Sequence, residues 1–426
     1  MGLTGDAWPS PPMRPECDAL AMTVGDIGER IAAYRRRRGL SQVALAGLVG
    51  LSESWLSQVE RGLKPVDKLS VLLDLARVLR VDVQALTGST WRYAPNGQAL
   101  AGGLDDLRRA VTRYDQLVGD PPAVVPAMPE LRSRIAETHR LYQAAQYDDV
   151  IDALPGLLVV VDGLLQVHPG DESERRELLL SYVSAYVVAA KLATKLGAAD
   201  LSMLTADRAS QAAVDADSLA ARGMAGYQVA CALLRSDQGE QAEQFAVRLA
   251  EELERHVRSD DAAVLSLAGA LWLIAAVVAA RRTDRDIAWQ RLSRAETLAG
   301  LLGEDANHAW TGFGPTNVAI HRVSVAAELG DAGEALRVAA DVNPDRLPAG
   351  LRSRRAQVYL DLAWAQAQRK RDAEATLNLL EAERVAPETI KHNVIAQQVV
   401  RSLLRRQTRR GTSALTDLAA RAGLLE

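Results

Sequence analysis

Two serines, Ser41 and Ser52, each stand directly before a short run with helical apolar spacing, and only the Gly50-Leu51 step separates the two runs. A serine in that position accepts a hydrogen bond from the free N–H groups of a first helical turn, so each run begins at a ready-made cap. Val43, Ala44, Leu48 and Val49 give the first helix an apolar face, and small Ala44 and Ala46 allow close approach. Leu51, Leu56 and Val59 do the same for the second. The polar residues left over then face outward, which is the layout of a helix pair whose second member enters a DNA major groove.

The strings Gly39-Leu40-Ser41-Gln42 and Val59-Glu60-Arg61-Gly62 occur together and in order. On these residues the stretch from Thr23 to Gly88 resembles the XRE/Cro-type helix-turn-helix domain. Five helices fit, at about 24–38, 42–48, 53–60, 68–79 and 83–87, the number the resemblance implies. It also implies double-stranded DNA as a partner, with Gln42 and the start of the second helix, Ser52, Glu53, Ser54, Ser57 and Gln58, at the operator. Arg61 and Lys64 follow at the helix end, where cations suit both the dipole and a phosphate strand. Glu53 and Trp55 depart from the family pattern, which often has a basic and a small residue there, so base preference does not carry over. A carboxylate at 53 accepts from cytosine N4 or repels phosphate.

Charge points the same way. Residues 23–88 hold ten Lys or Arg against seven Asp or Glu, a surplus of three in a chain whose net charge is −4. Arg35, Arg36, Arg37 and Arg38 close the first helix, and phosphate contact by this run would make affinity fall with salt.

A chain of 426 residues holds more than one domain, and 48% hydrophobic content is ample for a buried core. Only 4% is aromatic, which suits closely packed, alanine-rich helices. Cys17 and Cys231 are too few and too far apart for a disulfide framework or a metal site, so a cytoplasmic location is expected. Residues 1–22, with Trp8-Pro9-Ser10-Pro11-Pro12, read as a disordered tail without a secretory pattern, and Met22 offers an alternative start just before the Thr23 cap. Ala262 to Ala280 carries no charge over 19 residues, close to a membrane span, but eight of them are alanine. A buried helix, not a membrane one, is expected there.

That helix belongs to a repeating pattern. Polar turns followed by a small or β-branched residue recur at Gln146–Val150, Gly197–Leu201, Gln238–Ala242, Arg285–Ala288, Gly330–Ala335 and Lys370–Ala375, with anchors 40 to 51 residues apart. Such spacing suits helix pairs somewhat longer than the tetratricopeptide unit of about 34 residues. Each pair has an apolar face it cannot bury alone, and stacking produces a solenoid with a concave surface. Residues 130–426 resemble a divergent tetratricopeptide-like domain, and Leu360, Ala363, Trp364 and Ala367 against Ala375, Leu379 and Leu380 illustrate one pair. Between head and body, residues 89–129 read as a linker with one helix at about 104–118, hinged at Gly102-Gly103 and Asp120-Pro121-Pro122.

The expected fold is therefore all-α, a five-helix head at 23–88 followed by a solenoid of antiparallel helix pairs. The combination resembles actinobacterial regulators, which implies a homodimer on an inverted-repeat operator and a body that accepts a peptide, a small molecule or a protein. Trp310, Phe313, Asn317 and His321 are the candidate effector residues, because that low-charge run gathers aromatics, glycines and an amide. Tyr182, Tyr186, Tyr227 and Trp272 are further candidates for the same groove. No phosphate loop, dinucleotide fingerprint or nucleophile elbow occurs, and the six histidines lack metal-ligand spacing, so neither an enzyme nor a cofactor is expected. The competing expectation is a solenoid interaction scaffold, antitoxin-like, with weak or autoregulatory DNA binding.

Overall fold

The computed structural model describes residues 27–38, 40–64, 66, 69–79, 81, 86, 97–114, 126–167, 170–236, 238–256, 261–406 and 413–424; among these every regular element is a helix. The chain divides into two compact units, Met1–Tyr93 and Ala94–Glu426.

The head contains α1 (Ile27–Arg37), α2 (Gln42–Leu48), α3 (Glu53–Glu60) and α4 (Leu69–Leu79). Ser41 Oγ accepts from the Ala44 N–H at 3.1 Å, and Ser52 Oγ accepts from the Trp55 N–H at 3.2 Å, so both capping serines act as their positions require. The turn between α2 and α3 takes Gly50 to a φ of 68°, a left-handed conformation costly for any residue with a Cβ. Ile31, Leu45, Leu56, Val59, Leu75 and Leu79 form the core.

The apolar side of α2 differs from expectation. Leu45 and Ala46 are buried and Val49 packs beside them, whereas Val43, Ala44 and Leu48 are exposed. Positions 45, 46 and 49 share one side through the i, i+3 and i, i+4 relations, and that side meets α3 and α4. Of the expected fifth helix only Leu86, helical and buried, is among the described residues; the tail at 1–22 lies outside them.

The body begins with α5 (Gly97–Val111), then α6 (Met128–Gln143), α7 (Tyr147–Val167), α8 (Glu172–Lys195), α9 (Ala199–Asp215), α10 (Leu219–Arg235), α11 (Gly239–His256), α12 (Ala262–Arg281) and α13 (Arg285–Leu302). It continues through α14 (Pro315–Glu328), α15 (Ala332–Ala339), α16 (Arg352–Gln368), α17 (Asp372–Val385), α18 (Pro387–His392), α19 (Val394–Arg406) and α20 (Ser413–Arg421). All six polar turns found in the sequence open the second helix of a pair: α7, α9, α11, α13, α15 and α17. The first helices, α6, α8, α10, α12, α14 and α16, also touch one another in sequence and form a continuous inner row. This is a tetratricopeptide-like solenoid.

Close packing explains the small residues. Leu360, Ala363 and Ala367 on α16 are buried with Ala375 and Leu379 on α17, and Trp364 and Leu380 pack at the edge. Helix α12 is buried along nearly its whole length, as expected for a core helix with apolar composition. Helix α5 does not behave as a free linker. It starts at Gly97 and belongs to the body, with Leu104, Leu107 and Val111 buried in the body's core. Gly103 is no hinge: a Cβ there would lie 2.0 Å from Ile151 Cγ2 on α7, so the glycine permits contact between two helices. The Asp120-Pro121-Pro122 turn lies outside the described residues.

The body also closes on itself. Glu388 Oε2 on α18 accepts from the N–H groups of Tyr147 and Asp148, at 2.6 and 3.1 Å, where α7 begins. Gln143 and Asn307 exchange amide hydrogen bonds of 2.8 and 2.7 Å across 164 positions. The first pair of the solenoid is thereby joined to its far half, and a cavity is left inside.

Candidate nucleic-acid interface and internal cavity

In the head, Ser52, Glu53, Ser54 and Gln58 are exposed and Ser57 is half-buried, all on or at the start of α3. Arg61 and Lys64 follow it and Arg38 stands just after α1, each exposed. The apolar positions Leu56 and Val59 hold the opposite side of α3 in the core, which fixes these polar groups outward.

Gln42 has a more specific place than a free donor. Its Nε2 donates to Glu60 Oε2 at 2.8 Å, while Arg35 grips the same carboxylate through Nε at 2.6 Å and a terminal nitrogen at 2.7 Å. Arg35 also donates to the Leu40 carbonyl at 2.9 Å. Only 11% of the Arg35 side chain and 5% of that of Glu60 remain exposed, so Arg35 is withdrawn from the basic run at 35–38 and serves the fold. Burial alone would raise the Glu60 pKa, but hydrogen bonds from Arg35 and Gln42 with the Arg35 charge outweigh it and leave the carboxyl below its ordinary value. The hydrogen bond to Glu60 raises Arg35 in turn. This network ties α1, α2 and the end of α3 together, and it presents Gln42 with its carbonyl end uncommitted to Glu60. Glu60 was the unrecognised member, although it stands inside the Val59-Glu60-Arg61-Gly62 string.

The four effector candidates separate. Trp310 forms part of the cavity wall and stacks on His139, ring centroids 4.7 Å apart. Phe313 is wholly enclosed, and a Cβ on Gly269 would sit 2.0 Å from its ring, so α12 lends that ring its space. Asn317 is buried on α14, and His321 Nδ1 lies 2.9 Å from the Asn317 carbonyl in surroundings that push its pKa down to about 3, burial first and Arg354 second. None of these three lines the cavity. Of the other aromatics, Tyr227 lines the cavity, whereas Tyr182 and Tyr186 stack on each other 4.4 Å apart and Trp272 is held by Glu254.

The cavity measures about 210 Å³ and is walled by α6, α8, α10, the 310–312 loop and the start of α16. Ala309 and Trp310 both take left-handed backbone conformations, with φ of 48° and 58°, although neither is glycine. Such strain persists only where its surroundings hold it, and it concentrates at binding sites. Here Lys191 Nζ and Gln143 Nε2 hold the Trp310 carbonyl at 3.0 and 3.2 Å. Sequence patterning could not reveal this set, because Lys191, Lys195 and Arg354 look like ordinary surface cations on long helices.

Comparison with known proteins bears on the head. Residues 26–87 match the family described as Helix-turn-helix domain. The chain is 30% identical over 120 residues to the HTH-type transcriptional regulator RamB of Mycobacterium tuberculosis, covering 28% of this chain and 23% of RamB. It is 35% identical over 72 residues to the HTH-type transcriptional regulator SinR of Bacillus subtilis, covering 17% of this chain and 65% of SinR. The chain thus spans about a quarter of the length of one relative and under two thirds of the other. Among solved structures, Bacillus thuringiensis PlcR in complex with the peptide PapR7 and DNA aligns over 81% of this chain and 98% of that one, at 12% identity and a TM-score of 0.32. The N-terminal unit is a helix-turn-helix domain, and it is joined to an all-helical, tetratricopeptide-like body.

Proposed function

We propose that this protein is a cytoplasmic, sequence-specific DNA-binding regulator of transcription rather than an enzyme, with α3 as its reading helix and the body as its sensing half. The observation that carries this reading is the outward polar face of α3, set on a head whose sequence matches a helix-turn-helix family across residues 26–87. Ser54 and Gln58 meet base edges, Gln42 is braced by Glu60 at the groove's edge, and Arg38, Arg61 and Lys64 contact phosphates. Two copies bind an inverted repeat with half-sites about 10 base pairs apart or a multiple of that. The inner row of the solenoid lines the effector site, and its volume of about 210 Å³, below the roughly 300 Å³ at which pockets for drug-sized ligands begin, suits a small molecule better than a whole peptide.

Genome-wide mapping of bound sites, followed by footprinting of purified protein on the recovered fragments, tests the proposal. A short, two-fold symmetric protected site is expected. Recovery of a stoichiometric protein partner with no protected site would instead establish the interaction scaffold.

A further inference from the structure

The charge of the internal cavity is one-sided. Lys191 and Lys195, one turn apart on α8, and Arg354, in the first turn of α16, all line it, and no Asp or Glu among the described residues does. This occurs in a chain with more acids than bases, 54 against 50. Cations brought out of water ordinarily find a carboxylate, as Arg35 does in the head. The acid on α16, Asp361, is otherwise engaged: it accepts from Gln357 Nε2 at 2.7 Å and from the Ser324 hydroxyl. Glu388 is spent on the start of α7. Among the described residues Lys191 finds only the neutral Trp310 carbonyl, and Lys195 lies 5.2 Å from the centre of the Tyr147 ring.

Two further features carry the same sign. Helix α16 opens at the cavity with no side-chain cap and no acid in its first turn, so the positive end of its dipole adds to the three side chains. Lys191 responds to these surroundings: burial first, with the neighbouring Arg354 charge, draws its pKa down to about 7. Neutral donors and acceptors, Gln143, Gln228 and Gln357, complete the wall.

We infer that this cavity binds a small organic anion, a carboxylate or a phosphate ester, with Lys191 and Arg354 as its counter-charges; the inference rests on the reading of the body as the sensing half. Binding fills the missing negative charge and draws a proton onto Lys191, so affinity falls as pH rises above about 7. The groups that face this lysine are Arg354 on α16, Cys231 on α10, His139 on α6 and the Trp310 carbonyl, and Lys195, Tyr142 and Tyr227 share the cavity wall with it. Burial pushes the Cys231 thiol up to about 11, and His139 stays neutral because burial and Lys191 both lower it, so Lys191 is the group among them that titrates near neutrality.

The test is thermal unfolding of the full chain, without DNA, in inorganic phosphate, succinate and benzoate, against succinamide and sodium chloride of matched ionic strength. At least one anion is expected to raise the midpoint by several degrees in a saturable way, more at pH 6.5 than at pH 8.5, with succinamide inert. Response to phosphate alone assigns a phosphate ester, and response to the acids alone assigns a carboxylate. Lys191→Met is expected to raise the midpoint of the ligand-free protein and to abolish the anion response. An anion response no larger than that to sodium chloride, or an unchanged response in Lys191→Met, overturns the inference. Because no DNA is present, a failure here leaves the operator footprint to stand or fall separately.

Discussion

Two cations define the contrast between the units. Arg35 in the head is nearly buried and fully answered, held by both oxygens of Glu60. Lys191 in the body is half-buried and, among the described residues, is answered only by a backbone carbonyl, while the neighbouring Arg354 charge lowers its pKa further. Their pKa values diverge accordingly, the first raised and the second lowered to about 7. A site that satisfies its own charge is a structural joint, and one that does not is open to something from outside. The head is thus internally satisfied and turns its uncommitted groups outward, whereas the body keeps its unanswered groups within.

The largest effect should come from removing the answer to Arg35. Glu60→Ala leaves the largely covered Arg35 guanidinium without its carboxylate, and the head should lose up to about 3 kcal/mol, read as faster amide hydrogen exchange across α1 to α4 while the body is unchanged. Equal protection in the variant would break the contrast at its root. Next, Ser54→Ala and Gln58→Ala should each weaken operator binding by roughly 1–3 kcal/mol with little loss on unrelated DNA, measured by titration at fixed salt. Uniform weakening on both would make α3 a phosphate-contacting helix instead of a reading one.

Acid should sharpen the difference further, since all six histidines lie in the body. His321 and His392 are lowered to about 3 and 4, and His139 well below its usual value, in each case chiefly by burial. Their unfolded counterparts take up protons near pH 6.5, so the unfolded state gains as pH falls from 6.5 toward 4, by up to about 1.4 kcal/mol per pH unit for each. Asp361, raised by burial to about 6, acts in the opposite sense and offsets part of this. Thermal unfolding at pH 7 and pH 5 should therefore show the body, not the head, losing stability. The smallest effect is Arg38→Ala, which should lower affinity for all DNA alike and reduce the salt slope by about one.

Much of this architecture was written locally in the chain. The serine caps at 41 and 52 and the polar turns at the six pair junctions are short-range signals, and all of them mark helix starts. The face of α2 was not, because seven residues are too few for periodicity to choose between Leu45 and Leu48. At the turns before α7, α13 and α17 the left-handed positions are Ala145, Thr283 and Lys370, residue types that give no turn signal. Closure of the body was invisible for another reason: Tyr147 and Glu388 are 241 positions apart, and no repeat encodes their meeting. The effector candidates failed to hold together on the same ground, since Phe313 is placed by Gly269 and Trp310 by Gln143 and Lys191, all distant in sequence. Local capping sets the helices, while the site depends on how far the solenoid curls.

The claim on which the rest depends is that α3 reads sequence. Selection of binding sites from random DNA, run in parallel with the wild-type chain and with the Ser54→Ala/Gln58→Ala double variant, examines it most directly. The wild type should enrich one short symmetric motif, and the variant should retain salt-sensitive binding without enrichment. Enrichment of the same motif by both proteins would contradict the account.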